Sequence, residues 1–310
     1  MSKYGIPYMG SKAKMCDQLV GIFPRAMHFY DVFGGGFAVT HAMLALRPND
    51  YAHFHFNEIR PGVTQLIQDA IAGKYSYDRF KPEWISREDF MHRKDHDAYV
   101  KLIWSFGNNG EDYLFGSEIE TQKRSLHQAV IFNEFDAFAK ETLGLDSFRP
   151  GYSVYEKRMH LRNRVRVLGS KRLDLQRLEQ LERLQQLERL QQLERLQQLE
   201  QLERLQMTAL DYRQVKIEPD SIVYCDPPYA GTADYGNAFD TQNFLDWAAY
   251  LSEPVFISEY EITDSRFKSV AAIAKMQRLT SASRTVKQEK VFANKRGYEL
   301  WFDTKTRRTG

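Results

Sequence analysis

The residues best suited to chemistry are Asp226, Pro227, Pro228 and Tyr229, which end the run SIVYCDPPY over 221–229. Two successive prolines stiffen the backbone, and open α/β sheets place their ligands at the carboxyl ends of strands. Asp226 offers carboxylate oxygens, Pro227 a carbonyl held by rigid neighbours, and Tyr229 a ring face. Such a set suits a planar amine, whose two N–H donors meet two acceptors while its ring stacks on the aromatic. For the four residues alone, a Pro-Pro turn with a capping aspartate is the plain alternative. The adjacent Cys225 reads as a small buried residue rather than an attacking thiol.

Three further groups lie upstream of or just before that run. DVFGGGF over 31–37 places Asp31, Phe33, Gly34, Gly35 and Gly36 after a strand, where glycines let backbone approach a ligand. It lacks the spacing of a dinucleotide fingerprint or a phosphate loop, and an ordinary turn explains it equally well. Glu58 closes YAHFHFNE, where a carboxylate can hold ribose hydroxyls. Asp211 and Tyr212 follow MTAL and offer an acceptor and a stacking ring for an adenine. Taken singly, such acids are more often helix caps. Tyr8 and Lys12 flank Gly10 at a helix start, where anions are favoured; a solvated lysine is the alternative there.

The elements that must position these residues follow from periodicity. Ser11 caps a helix expected to run to about Phe23, HFYD reads as a strand, and FAVTHAMLAL as a helix. YAHFHFNE is a second strand, and VTQLIQDAIAG a helix ended by Gly73. Alternation of this kind predicts a parallel sheet with helical crossovers, in an α/β fold. MTALDY, SIVYCDPPY and PVFISEY return to short strands after a long interruption. The expected division is 1–74 and 207–310 as two parts of one Rossmann-like domain. Between them lie an aromatic-rich, largely helical insertion at 75–172 and a repeat at 173–206.

That repeat is built on a hexapeptide close to L-E-R-L-Q-Q and lacks Gly, Pro and β-branched residues, so it predicts one long helix of about 50 Å. Leucine recurs every three residues, and each falls about 60° behind the last on an ideal helix. Such a helix presents no steady seam, and a spacer is the preferred reading. A partner-binding coiled coil and a non-helical stack remain alternatives.

Taken together and in this order, YMGSK, DVFGGGF, Asn57-Glu58, LDY at 210–212 and DPPY make the chain resemble the Dam-like class of DNA adenine-N6 methyltransferases. The resemblance covers residues 1–75 and 207–305, with looser similarity through WSFGNNGEDYLFG. It implies a Rossmann-like S-adenosylmethionine-dependent methyltransferase sheet with an inserted target-recognition domain. It also implies that Tyr8 and Lys12 sit over S-adenosylmethionine, that Asp31 and the glycine turn approach its methionine portion, and that Glu58 meets its ribose and Asp211 its adenine. Asp226 and Pro227 would then hold the target amine of a flipped adenine while Tyr229 stacks on the base. Neither a metal nor a covalent nucleophile is needed. A methyltransferase acting on RNA, and a non-catalytic DNA-binding or scaffold protein that associates through the repeat, are the competing readings.

A double-stranded DNA partner requires positive charge, yet the 310 residues carry a net charge of only +2. Between Ser147 and Arg172, however, eight basic residues face one acid, Glu156. In HLRNRVRVLG, Arg162, Arg164 and Arg166 alternate with other residues, which predicts a strand with three guanidiniums on one face. A DNA-contacting ribbon and a solvated strand face both fit. Asn108 and Asn109, in a Gly-flanked turn, either read or wedge bases or form a type I′ hairpin turn. Hydrophobic residues make up 43% and aromatic residues 13% of the chain, which excludes wholesale disorder. Two cysteines exclude a disulfide framework, and no apolar run reaches the ~18 residues of a membrane span. Without a signal-like start, the expected address is the cytoplasm, for a monomer or weak dimer with no membrane partner. A restriction endonuclease partner is left open.

Overall fold

The computed structural model describes residues 3–77, 80–169, 180–228, 239–274 and 288–309. Among the described residues seven strands appear in chain order: β1 His28–Asp31, β2 His53–Asn57, β3 Leu205–Thr208, β4 Ser221–Cys225, β5 Val255–Glu259, β6 Lys268–Ala274 and β7 Gln288–Ala293. They form one sheet of order β3-β2-β1-β4-β5-β7-β6. β1 to β5 run parallel, and β7 is antiparallel to both β5 and β6. The 3-2-1-4-5 core order is that of doubly wound nucleotide-binding sheets; the reversed β7 is where this sheet departs from them. Central parallel strands are covered on both faces, and all five residues of β4 are accordingly buried.

Among the described residues the helices are α1 Cys16–Leu19, α2 Ala38–Leu46, α3 Val63–Ile71, α4 Arg87–Arg93, α5 Ala98–Ile103, α6 Ser117–Phe132, α7 Ala137–Leu143, α8 Val154–Gly169, α9 Gln185–Arg195, α10 Thr241–Tyr250 and α11 Lys295–Thr309. Two compact units emerge. One holds the sheet and comprises Ser2–Ile6, Gly10–Gln65 and Gln198–Gly310; the other comprises Pro7–Met9 and Leu66–Gln197, with Met1. The mixed α/β architecture is as expected. Between β2 and β3 the described residues form α3 to α9.

Four local expectations are corrected. The helix expected from Ser11 to Phe23 is broken: Ser11 accepts from Ala13 N–H at 3.3 Å and caps a 3₁₀ turn, Lys12–Lys14, and α1 ends at Leu19.

Among its described residues, the repeat is neither one long helix nor a spacer standing apart. Leu181, Leu184, Leu187, Leu190, Leu193 and Leu196 are all at most 4% exposed, and the first three join Leu126, Val130, Leu161 and Val165 in one core. The helix is interrupted before Gln185, and after Arg195 the chain tightens into a 3₁₀ turn, Leu196–Gln198. Within α9 the leucines sweep only about 120°, which one buried helix face accommodates. The 3₁₀ turn itself has about three residues per turn, matching the leucine spacing. The repeat also ends inside the sheet, because Leu205 opens β3. Its first residues, 173–179, lie outside the described ones.

The three arginines do not lie on a strand. α8 is a helix in which Leu161 and Val165, four apart, are buried at 1% and 2% exposure. Arg162 and Arg166, also four apart, both donate to Glu182 Oε1, at 2.7 and 3.1 Å. Arg164 packs elsewhere, with its Nη2 2.5 Å from where a Cβ on Gly144 would stand. An apparent period of two in R-N-R-V-R-V yields to the 3.6-residue period of its apolar neighbours.

Asn108 and Asn109 fall in a turn of several residues rather than a two-residue type I′ turn. Ser105 bridges Tyr113 in antiparallel fashion, and Asn108 adopts a left-handed φ of 61°. Asn109 Oδ1 accepts from the Glu111 and Asp112 amides at 2.9 and 3.1 Å.

Candidate active site

Parallel register brings the carboxyl ends of β1, β2 and β4 to one edge of the sheet, with Asp31 beside both Phe56 and Tyr224. Asn57 ties those ends together. Its Nδ2 donates to the carbonyls of Val32 and Leu210, at 3.0 and 2.9 Å, and its Oδ1 accepts from Thr208 Oγ1 and Leu210 N at 2.7 and 2.9 Å. All of its donor and acceptor capacity is used at 4% exposure.

Glu58 holds the glycine turn. Its Oε2 accepts from Gly35 N–H at 2.8 Å and its Oε1 from Arg60 N–H at 3.0 Å. Gly35 sits at φ 49°, in the region that glycine tolerates best. At Gly34 a Cβ would stand 2.1 Å from the Phe56 ring, so packing by itself demands glycine there. Gly36 accepts from Ile6 N–H through its carbonyl at 2.8 Å.

Asp31 is 1% exposed. Its Oδ2 accepts from Thr40 Oγ1 at 2.7 Å and from Thr40 N–H at 3.2 Å. The other oxygen, Oδ1, is buried without a hydrogen-bond partner. Burial, with the nearby Asp226 and Glu58 charges, pushes the carboxyl up to about 7 against the pull of Thr40. A cation placed at Oδ1 would relieve both the missing bond and the crowding of negative charge.

Asp226 follows β4, and its Oδ1 meets Lys12 Nζ at 2.6 Å. The same ammonium meets Glu289 Oε1 on β7 at 3.1 Å. Lys12 is 4% and Glu289 1% exposed. Burial alone would lower the lysine, but the two carboxylates outweigh it and hold Lys12 above its ordinary value. Glu259, at the end of β5, is pushed up by burial and by Asp226 and Glu289, with Lys12 opposing. Pro227 is buried and Pro228 half-buried, while Tyr229 lies outside the described residues. Cys225 is fully buried, and burial first, then Asp31 and Asp226, raises its thiol well above the usual range.

Asp211 caps the short turn Tyr212–Gln214 and pairs with Arg213 through both oxygens, each at 2.8 Å. That hydrogen bonding holds its carboxyl below the usual range. The Tyr212 ring belongs to an aromatic cluster with Phe33 at 5.4 Å, Phe244 at 5.7 Å and Trp247 at 5.1 Å.

The sheet unit therefore gathers Lys12, Asp31, Phe33, the glycine turn, Glu58, Asp211, Tyr212 and Asp226. Tyr8, Asn108, Asn109 and the three arginines belong to the other unit. Thr40, Glu259 and Glu289 are the residues that motif reading misses, and Asn57, quoted within a motif, was given no role of its own. Glu289 left a trace in the sequence: it shares its strand phase with Val291 and Ala293, an acid in a register that is otherwise buried and apolar. Among the described residues no helix is long and apolar enough to cross a membrane.

The chain matches no family model and no curated protein.

Proposed function

We propose that the protein is an S-adenosylmethionine-dependent DNA methyltransferase that modifies the N6 amine of a flipped adenine in duplex DNA. The observation that carries this reading is the ion pair of buried Lys12 with half-buried Asp226, beside the unsatisfied Asp31 Oδ1, at the carboxyl edge of parallel strands. Asp31 and the Gly34–Gly36 turn suit the ammonium of the cofactor's methionine portion, Glu58 its ribose, and Asp211 with Tyr212 its adenine. When bound, S-adenosylmethionine supplies an electrophilic methyl group.

The chain supplies orientation and charge. Asp226 and the Pro227 carbonyl accept the two N6 hydrogens, which fixes the amine and raises electron density on its nitrogen. Lys12 holds Asp226 in place through their ion pair at 2.6 Å. Flipping the base out of the duplex costs a few kcal/mol, which stacking on Tyr229 and the two hydrogen bonds offset in part. The helical insertion is the target-recognition region of this proposal, with Arg162 and Arg166 on the exposed side of α8 suited to phosphates.

The experiment is to incubate the protein with labelled S-adenosylmethionine and unmethylated genomic DNA, RNA or a protein extract, and then locate the label. N6-methyladenine in DNA is the expected product. Label confined to RNA or protein, or no transfer alongside DNA binding, overturns the reading.

A further inference from the structure

We propose that His28 and His55 are a chelating pair for a divalent transition-metal ion that favours nitrogen ligands, namely Zn²⁺, Ni²⁺ or Cu²⁺. The pair lies within the sheet unit, with His28 at the opposite end of β1 from Asp31. It rests on no step of the function proposed above.

Alternation along HFHFN sends successive side chains of β2 to opposite faces of the sheet. Phe54 and Phe56 are at most 1% exposed, whereas His53 is exposed and His55 half-buried. Parallel register sets His53 beside His28, His55 beside Tyr30, and Gln206 of β3 beside His55. In a doubly wound sheet, helices cover both faces. Here the connection from β3 to β4 holds only the turn Tyr212–Gln214, and His53 and Gln206 stay exposed. The histidine face is therefore open to an ion from solvent.

His28 Nδ1 lies 3.0 Å from His55 Nε2. With zinc–imidazole bonds of about 2.0–2.1 Å, two such nitrogens on one metal stand about 2.9 Å apart at a right angle and about 3.3 Å apart at the tetrahedral angle. The observed separation falls within that span. In the hydrogen bond, one of the two nitrogens carries the proton. A dication takes the place of that proton, and the ring that donated carries its proton on its other nitrogen instead. Neighbours hold both rings: Tyr30 stacks on His55 at 4.0 Å with 3° between planes, and His53 stacks on His28 at 4.9 Å. Gln206 hydrogen-bonds the His55 side chain, the kind of outer partner that orients metal-binding imidazoles. Glu218 interacts electrostatically with both rings and adds negative charge that favours a cation. Imidazole ligands suit Zn²⁺, Ni²⁺ and Cu²⁺, whereas Mg²⁺ and Ca²⁺ take oxygen ligands. Among the described residues no group of three or more His, Cys, Asp or Glu is placed to hold a metal, so the chelate has two protein ligands and water completes its shell.

The test uses the full-length protein without an affinity tag. Zn²⁺ titrated by calorimetry is expected to saturate a single site, with Ni²⁺ and Cu²⁺ competing and Mg²⁺ inert. His28→Asn and His55→Gln each put an amide near the position of the ligating nitrogen, which keeps a hydrogen-bonding group but not an imidazole ligand. Each should weaken binding at least about 10-fold, and His53→Gln much less. In ¹H–¹⁵N spectra of the wild-type protein, paramagnetic Ni²⁺ should broaden the imidazole signals of His28 and His55 before those of His41, His92, His96, His127 and His160.

Absence of saturable binding overturns the proposal. So does binding that persists in both variants, and so does Ni²⁺ broadening centred on the other histidines. Because that broadening is read on the wild-type chain, a variant that fails to fold leaves the question decided.

Discussion

Each of the two units buries a lysine, and the two lysines respond in opposite directions. Lys12, in the sheet unit, lies against two carboxylates and is held above its ordinary value. Lys123, in the helical unit, is 0% exposed, donates to the Arg183 carbonyl and sits 5.3 Å from the Phe115 ring centre. Burial there, only partly opposed by Glu188, lowers it to about 7. Desolvation acts on both, so the partners decide the sign. A lysine compensated by carboxylates at a strand edge marks a place built to hold charge. The lysine compensated by a carbonyl is a packing solution that tolerates losing its proton.

The largest test of that contrast is substitution by methionine. Lys12→Met strands two carboxylates and is expected to cost about 3–5 kcal/mol of stability. Lys123→Met loses one hydrogen bond but removes an amine whose burial opposes its charge at neutral pH, so it is expected to leave stability unchanged or raised. Urea denaturation at neutral pH compares them, and equal losses would erase the distinction. Next comes activity: Asp226→Ala is expected to lower methyl transfer about 10²- to 10³-fold while cofactor binding persists, as read by labelled transfer and calorimetry.

The pH dependence carries the contrast with smaller energies. With a folded value near 7 against an ordinary 10.5, Lys123 binds fewer protons in the folded than in the unfolded chain across that interval. Stability should therefore rise from pH 7 to 10.5, with a slope of up to about 1.4 kcal/mol per unit. Lys12, raised when folded, contributes stability that is complete below 10.5 and lost above it. Urea titrations at stepped pH should show the rise flattened in Lys123→Met and the alkaline loss removed in Lys12→Met.

The smallest effects belong to α8. Arg162→Ala and Arg166→Ala break exposed pairs with Glu182 and should each change stability by less than about 1 kcal/mol. Under the proposed function each should also reduce the salt dependence of DNA binding by about one phosphate contact. An unchanged salt slope would assign both arginines to the fold alone.

Much of the site was legible because its residues sit at the ends of short, unambiguous strands. HFYD, HFHFN and SIVYC each carry their acid at or just past the carboxyl end, and parallel pairing leaves those ends nowhere else to meet. Glu289 was not legible as a site residue, because β7 lies far along the chain and reaches Lys12 only through the reversed pairing of the last two strands. The basic ribbon was misread for a related reason. The charge excess over 147–172 is real, but Glu182 and Glu188 of the repeat pair with Arg162, Arg166 and Arg158. Those acids lie 16 to 30 residues downstream, beyond any local window.

The sequence by itself determined an α/β sheet interrupted by a helical segment, and which acids end its strands, because periodicity and strand termini are local properties. Tertiary structure alone decided which charges meet, and that the leucine repeat would be core instead of strut. Its three-residue period disperses leucine around a long isolated helix. Breaking the helix before Gln185 and tightening it after Arg195 keeps every described leucine from 181 to 196 turned inward. Only neighbours such as Leu126 and Val165, which bury that face, make the interruption favourable.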